Sequence, residues 1–310
     1  MPKKIIFMGT PLFAVPVLKS LNQNGYPISV VYTQPPQRSQ RGQKINKSPV
    51  QNIAETLNIE FRSPNVLQDN EEEYQYLKQM NADLAIVVAY GQLIPKNFLG
   101  LTKKGFINIH GSILPKWRGA APIQRSIMNL DEETGISIMK IISKLDAGPV
   151  MLTEKVKIKK ETDYQGLSEK LSKLGSEMIL RSLDLLKNNK AKFIPQNEKD
   201  ATYAKKIDKE EAKINWNEDA KCIVAKVNAL NPNPGTWFEL GESRVKIIKA
   251  TEVKEMGKPG VVINKDLTIA CSENAVQILE LQKEGKKKMT AREFLIGNKL
   301  EVGTNINSDV

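Results

Sequence analysis

The sequence predicts an α/β domain built on a parallel sheet, followed by a smaller β-barrel domain. Three observations lead there. In the first half, short apolar runs alternate with helical patterns, the signature of βαβ units. Those runs are continuously apolar rather than alternating, as parallel strands covered on both faces require. Beyond about residue 236, strand-length runs follow one another with turns and no long helices between them, as in a small barrel. A length of 310 residues also suits two domains better than one core.

Taken in order, Ile5–Met8 reads as a buried strand and Ala14–Leu21 as a helix stopped by Asn24-Gly25. Ile28–Tyr32 is the second strand. Leu84–Ala89, Phe106–His110 and Ile136–Ile142 are further continuous apolar runs of strand length. Thr162-x-x-Gln165 forms a capping box before a long helix that reaches about Lys187. The polar stretch from Asn188 to about Asp208 reads as a linker. Beyond it Asn217 caps a helix whose apolar positions Ala220, Ile223, Val224, Val227 and Leu230 keep helical spacing. Trp237–Leu240, Val245–Val253, Gly260–Ile263, Leu267–Cys271 and Val276–Leu281 supply the barrel strands. The expected division is therefore a domain at 1–188, a linker at 189–208 and a second domain at 209–310.

Composition closes off several function classes. Cys222 and Cys271 lie far apart, and the chain has one histidine, so neither a disulfide framework nor a Cys/His zinc set is expected. This cysteine usage fits a reducing, cytoplasmic compartment. No run approaches the ~18 apolar residues of a membrane span. The start, Lys3-Lys4 followed by an apolar stretch, mimics a secretory leader, but Gly9, Pro11 and Pro16 interrupt it. The net charge of +11 is unevenly spread: residues 1–202 carry 28 Lys/Arg against 19 Asp/Glu, the remainder 18 against 16. Seven basic residues precede the first acid, Glu55, which points to a polyanionic partner for the N-terminal domain.

In open parallel sheets, ligands bind beyond the carboxyl ends of the strands. Three segments are expected to leave strands there. Gly9-Thr10-Pro11-Leu12-Phe13 lacks the Gly-x-Gly-x-x-Gly pattern of dinucleotide sites. The nearest thing to a phosphate loop, Gly100-Leu-Thr-Lys-Lys-Gly105, is followed by Phe106 rather than Lys-Ser/Thr. The second segment runs from Gly105 through Gly111 and places Asn108 and His110 two apart on a strand, hence on one face. A lone histidine is usually a satisfied core residue. Here it is the only one, an amide shares its face, and a Gly-Ser loop follows. The third segment, Ser143-Lys-Leu-Asp146-Ala-Gly148-Pro, is by itself an ordinary turn.

Together, Met8-Gly-Thr-Pro, Val87-Val-Ala-Tyr-Gly91, Asn108-Ile-His-Gly-Ser-Ile-Leu-Pro115-Lys-Trp-Arg-Gly-Ala-Ala-Pro122-Ile-Gln and Thr134-Gly-Ile-Ser-Ile-Met139 with Leu145-Asp-Ala-Gly148 resemble the folate-dependent formyltransferases. Within that group they are most similar to the branch that acts on methionyl-tRNA. The similarity extends to Ile214-Asn-Trp216 and Glu284-Gly-Lys-Lys287. It implies a Rossmann-like N-terminal domain and an OB-like C-terminal β-barrel. It also implies 10-formyltetrahydrofolate as formyl donor, without a metal, and methionyl initiator tRNA as acceptor. A monomer in the cytoplasm, free of membranes, completes the expectation.

The family's reactive trio maps onto Asn108, His110 and Asp146. Its folate site maps onto Ser112, Ile113, Leu114 and Pro115, with Val88, Ala89 and Tyr90 lining the pterin pocket. The basic loop carrying Arg38, Arg41, Lys44 and Lys47 is the expected contact for tRNA phosphates; its competing reading is a solvated surface loop. Three positions depart from the family pattern. The family usually has Asp where Leu12 stands, Asp-Arg-Pro at Pro36-Gln37-Arg38, and an aromatic residue at Asn233.

Formyl transfer is the attack of an amine on an activated amide carbonyl, giving a tetrahedral oxyanion. An aminoacyl α-amine with a pKa of ~8 is partly neutral near neutral pH, so no nucleophilic side chain is required. Asn108 and His110 are the expected donors to the oxyanion, and Asp146 relays protons with His110 through a water. A folate formyltransferase with a small amine acceptor, such as glycinamide ribonucleotide or an amino-sugar nucleotide, would share this trio. The Trp117-Arg118-Gly motif, the basic loop and the second domain favour tRNA. A non-enzymatic RNA-binding protein would explain the charge but leave the trio idle.

Overall fold

The computed structural model describes residues 2–39, 44–298 and 300–306. The chain forms two compact units. The first comprises Met1–Pro122, Thr134–Val156 and Ser168–Ala204; the second comprises Ile123–Glu133, Lys157–Leu167 and Lys205–Val310. Among the described residues no helix is long and apolar enough to cross a membrane.

In chain order come β1 (Ile5–Gly9), α1 (Val15–Gln23), β2 (Ile28–Tyr32), the ribbon β3 (Gln37–Ser39) and β4 (Lys44–Asn46), α2 (Pro49–Thr56), β5 (Phe61–Arg62) and α3 (Glu71–Met80). They are followed by β6 (Leu84–Val88), β7 (Phe106–His110), β8 (Arg118–Gly119), α4 (Pro122–Met128), β9 (Glu133–Lys140), β10 (Val150–Lys157), α5 (Tyr164–Lys187) and β11 (Tyr203–Ala204). A seven-stranded sheet of order β10-β9-β7-β6-β1-β2-β5 forms the first unit's centre. Every residue of β1 and β6 is buried, which is why their sequences run apolar without alternation. Ile6, Met8, Tyr32, Ala85, Val87, Leu77, Phe98 and Phe106 form one cluster of this core.

From β5 to β7 the strands are parallel. The expectation of a wholly parallel sheet fails at β9, which is antiparallel to β7 with Ile107 opposite Lys140 and His110 opposite Ser137. An apolar run reports burial, not direction. The consequence matters for the site. The loop after β9 starts beside the amino end of β7, not beyond its carboxyl end.

The long helix forms as expected, but its cap differs. Asp163, not Thr162, accepts from the Gly166 N–H at 2.8 Å, while the Thr162 hydroxyl accepts from Lys159 N. Either acceptor fills the same need of a helix start for bonded N–H groups, so the sequence alone could not separate neighbours.

The second unit contributes α6 (Ala220–Leu230), β12 (Thr236–Leu240), β13 (Ser243–Val253), β14 (Val262–Asn264), β15 (Thr268–Ala270), β16 (Ala275–Lys283), β17 (Met289–Thr290) and α7 (Ala291–Gly297). Asp219 caps α6, two residues after the expected Asn217. The strands form an antiparallel path β12-β13-β16-β15-β14, with β17 on β16. Its core gathers Trp216, Ile223, Val227, Phe238, Ile247, Ile278, Leu281 and Phe294. Trp216 meets Phe238 edge-on at 5.8 Å. Truncating a buried aromatic such as Trp216 to Ala should cost about 3–5 kcal/mol.

Candidate active site

Three parallel strands end together, and their loops are bonded to one another. Thr10, just past β1, donates its hydroxyl to Tyr90 O at 2.7 Å and accepts from Gln34 N at 3.2 Å. The Gln34 amide adds a bond to the same Tyr90 carbonyl at 3.3 Å. After β6, Ala89 and Gly91 take left-handed backbone, at φ 47° and 90°. Val88 and Tyr90 are buried in the core, and only Ala89 of the expected pterin-lining three is exposed. Burial pushes the Tyr90 phenol well above its ordinary value, and its hydroxyl has no partner among the described residues. A ligand here would meet main chain and Ala89, not the Val88 and Tyr90 side chains.

Strand β7 carries Asn108 and His110 on the face shared with Phe106. The loop after β9 brings Asp146 to both. Ile141 N bonds Phe106 O and Lys140 N bonds Pro149 O, which pins the two ends of this loop against the sheet. Asp146 then takes the left-handed region at φ 45°, a conformation that costs a residue with a Cβ about 1–3 kcal/mol and persists only where surroundings enforce it. Its Oδ1 accepts from Asn108 Nδ2 at 3.3 Å, and its Oδ2 accepts from Gly119 N at 2.8 Å. The same Oδ2 lies 3.7 Å from His110 Nδ1. Asp146 is thus the hub of the trio.

His110 is 5 % exposed, and its Nε2 lies 2.9 Å from Trp117 O. A carbonyl only accepts, so Nε2 carries the hydrogen in this arrangement, an assignment made from the partner. That leaves Nδ1, on the Asp146 side, as the ring atom free to exchange a proton. At 3.7 Å it is beyond a direct hydrogen bond, so proton passage to Asp146 needs a small closure or one water.

Of the expected folate loop, Ser112 is fully buried, with its hydroxyl on Lys116 O at 2.6 Å. Ser137 holds this loop down by donating to Ser112 O and accepting from Leu114 N. Leu114 is buried, whereas Ile113 and Pro115 are partly exposed and open to contact.

The described ends of the basic loop pair as a short ribbon, with Arg38 opposite Ile45 and Ser39 opposite Lys44. Strands of three residues are too short to carry a periodicity that sequence can show. Arg41 lies outside the described residues. Lys47 is engaged with Glu55 at 2.8 Å, and that bond, followed by one from Gln51, holds the Glu55 carboxyl below its ordinary value.

The formyl transferase family model matches residues 3–183, and the model of the family's C-terminal domain matches residues 206–299.

The chain belongs to the formyl transferase family. A methionyl-tRNA formyltransferase of Pelagibacter ubique is 53 % identical over 309 residues, 99 % of this chain and 100 % of that one. One from Afipia carboxidovorans is 40 % identical over 304 residues, 97 % of this chain and 98 % of its own. Among solved structures, HypX from Aquifex aeolicus in complex with tetrahydrofolic acid superposes with a TM-score of 0.66 at 18 % identity. That match covers 95 % of this chain, which spans about half (47 %) of the HypX chain, and it speaks to fold alone.

Arg118, in the Trp117-Arg118-Gly motif, is fully buried. Its guanidinium donates to Gln196 Oε1 at 2.9 and 3.1 Å and to both Glu198 oxygens at 2.9 and 3.1 Å. Lys144 also pairs with Glu198. Arg118 first, then Lys144, holds the Glu198 carboxyl down at about 2. Within the span expected as a linker, then, residues from Ile194 to Ala204 are bonded onto the first unit. Ile194 bridges Val150, Thr202 O accepts from Arg118 N, and β11 pairs with β8. Sequence reading missed Gln196 and Glu198 because their partners lie 78 and 80 residues away, with no local pattern to flag them.

Proposed function

We propose that the protein transfers a formyl group from 10-formyltetrahydrofolate to the α-amino group of methionine on charged initiator tRNA. The observation that carries this is the 53 % identity to a methionyl-tRNA formyltransferase across 99 % of the chain. The cluster of Asn108, His110 and Asp146 supports it. The donor is a flat pterin with a tail, and the strand ends suit such a ligand. Left-handed turns at Ala89 and Gly91 offer main-chain groups, and Ile113 and the half-exposed Leu145 offer apolar contact. When bound, 10-formyltetrahydrofolate supplies the formyl group as an activated amide.

The residues divide the work as follows. Asn108 Nδ2 has two hydrogens; one is engaged by Asp146, and the other donates to the carbonyl oxygen as negative charge develops there. His110 Nδ1 takes the proton released by the attacking methionyl amine and returns it to the departing nitrogen, with no net change in the enzyme. Asp146 orients the Asn108 amide and offsets the charge on His110 while it holds that proton. His110 Nε2 is committed to Trp117 O, so oxyanion donation falls to Asn108 rather than to both residues.

The working division is a Rossmann-like catalytic domain at 1–188, a joining segment at 189–208 and an OB-like barrel at 209–310. Five antiparallel strands on one continuous path support the barrel. Arg38, Arg41, Lys44 and Lys47 are the proposed tRNA contacts, and the protein works as a cytoplasmic monomer. The test is transfer of labelled formyl to charged initiator tRNA, run beside glycinamide ribonucleotide and an amino-sugar nucleotide. Label in methionyl-tRNA alone is expected. Preferential label in a small amine would move the protein to another branch of the family.

A further inference from the structure

The carboxylate of Asp146 can serve the trio only while its backbone stays left-handed. The turn's own main-chain bond, from Ala147 N to Lys144 O, is long at 3.3 Å, and Gln196 reinforces it. Its Nε2 spends both hydrogens on this turn, donating to Asp146 O at 2.8 Å and to Gly148 O at 2.7 Å. Its Oε1 meanwhile accepts two bonds from buried Arg118. Arg118 follows Trp117, a second left-handed residue at φ 60°, whose carbonyl fixes His110 Nε2. One amide therefore ties together the two strained turns that orient His110 from either side. Glu198 and Lys144 brace the far end of this link, Lys144 from the Asp146 loop itself.

We propose that Gln196, in the segment between the two domains, is a positioning residue for formyl transfer, acting by holding Asp146 in its reactive conformation. The proposal rests on the reading that Asp146 orients Asn108 and offsets the charge on His110 during formyl transfer. It assigns catalytic consequence to a segment whose sequence reads as a polar connector. Any displacement of residues 194–204 would loosen the Asp146 turn, so the rate depends on how this segment lies against the first unit.

Gln196→Glu separates positioning from simple support of the fold. A carboxylate still accepts from Arg118 but has no hydrogen for the Asp146 and Gly148 carbonyls. A displacement on the order of 1 Å at a reacting group can cost ~10²-fold, so kcat should fall about 10- to 100-fold. KM for both substrates should stay within about threefold and melting within a few degrees, as for an interaction needed only in the transition state. Gln196→Ala should show the same loss, and Asn197→Ala, exposed beside it, should keep parental kcat. In an Asp146→Ala background Gln196→Glu should change kcat less than about twofold, because coupled residues are not additive. Parental kcat in Gln196→Glu, or the same fold-loss with and without Asp146, overturns the proposal. If the parent enzyme transfers no formyl group, the functional reading fails and the proposal falls with it; an active parent with unaffected variants removes the proposal alone.

Discussion

Gly148→Ala puts a methyl group where the chain has no room. A Cβ at position 148 would stand 1.7 Å from Lys140 O and 2.9 Å from Lys140 C. Both are main-chain atoms of β9, so no side-chain rotation relieves the clash. Real Cβ atoms do not come within 3.0 Å of such atoms, so the Asp146 loop must lift by at least 1.3 Å, the difference between the two distances. Asp146 lies two residues away, and both of its carboxylate hydrogen bonds, at 2.8 and 3.3 Å, are within a shift of that size of breaking. The expected loss in kcat is about 10²-fold, the typical cost of a ~1 Å misplacement. Overpacking should also cost about 1–3 kcal/mol of stability. Formyl transfer under saturating substrates, with a denaturant titration alongside, measures both. Gly100→Ala is the matched control, since nothing lies within 4 Å of its Cβ position. A folded Gly148→Ala enzyme with parental kcat would show that the placement of Asp146 does not limit the rate.

Two further outcomes are expected. Arg38→Ala with Arg41→Ala should flatten the log–log dependence of tRNA affinity on salt by about 1.4–1.8 units, if each residue neutralises one phosphate; an unchanged slope would mean that the basic loop is merely solvated. Glu198 has a carboxyl lowered to about 2 from an ordinary 4.5. Its contribution to stability is therefore complete above the ordinary value and lost as pH falls through 4.5 towards 2. The melting difference between parent and Glu198→Gln should be constant above pH 5 and shrink below it, and a difference independent of pH would count against the ion pair.

Much of the fold was legible because burial writes itself into sequence. The runs that became β1 and β6 are apolar without interruption because both faces are covered, and α5 and α6 kept helical spacing. Strand direction was not legible, since Ile136–Ile142 would read alike in either orientation. Asn108 and His110 were found from a local signal, two polar side chains sharing one face of a buried strand. Asp146 needed the resemblance, because nothing in an ordinary turn announces a left-handed aspartate. The surroundings of Arg118 were not legible for a related reason: Gln196 and Glu198 reach it from 78 and 80 residues along the chain.

Single-turnover transfer of labelled formyl to methionyl initiator tRNA by Asn108→Ala tests the site most directly. With the enzyme saturated by both substrates, loss of the oxyanion donor should slow the chemical step by about 10²–10³. Affinities for tRNA and folate should change only a few-fold, because the amide acts on charge that appears during the reaction. A single-turnover rate within threefold of the parent would contradict the assignment of Asn108, and with it the placing of formyl transfer at the Asn108, His110 and Asp146 cluster.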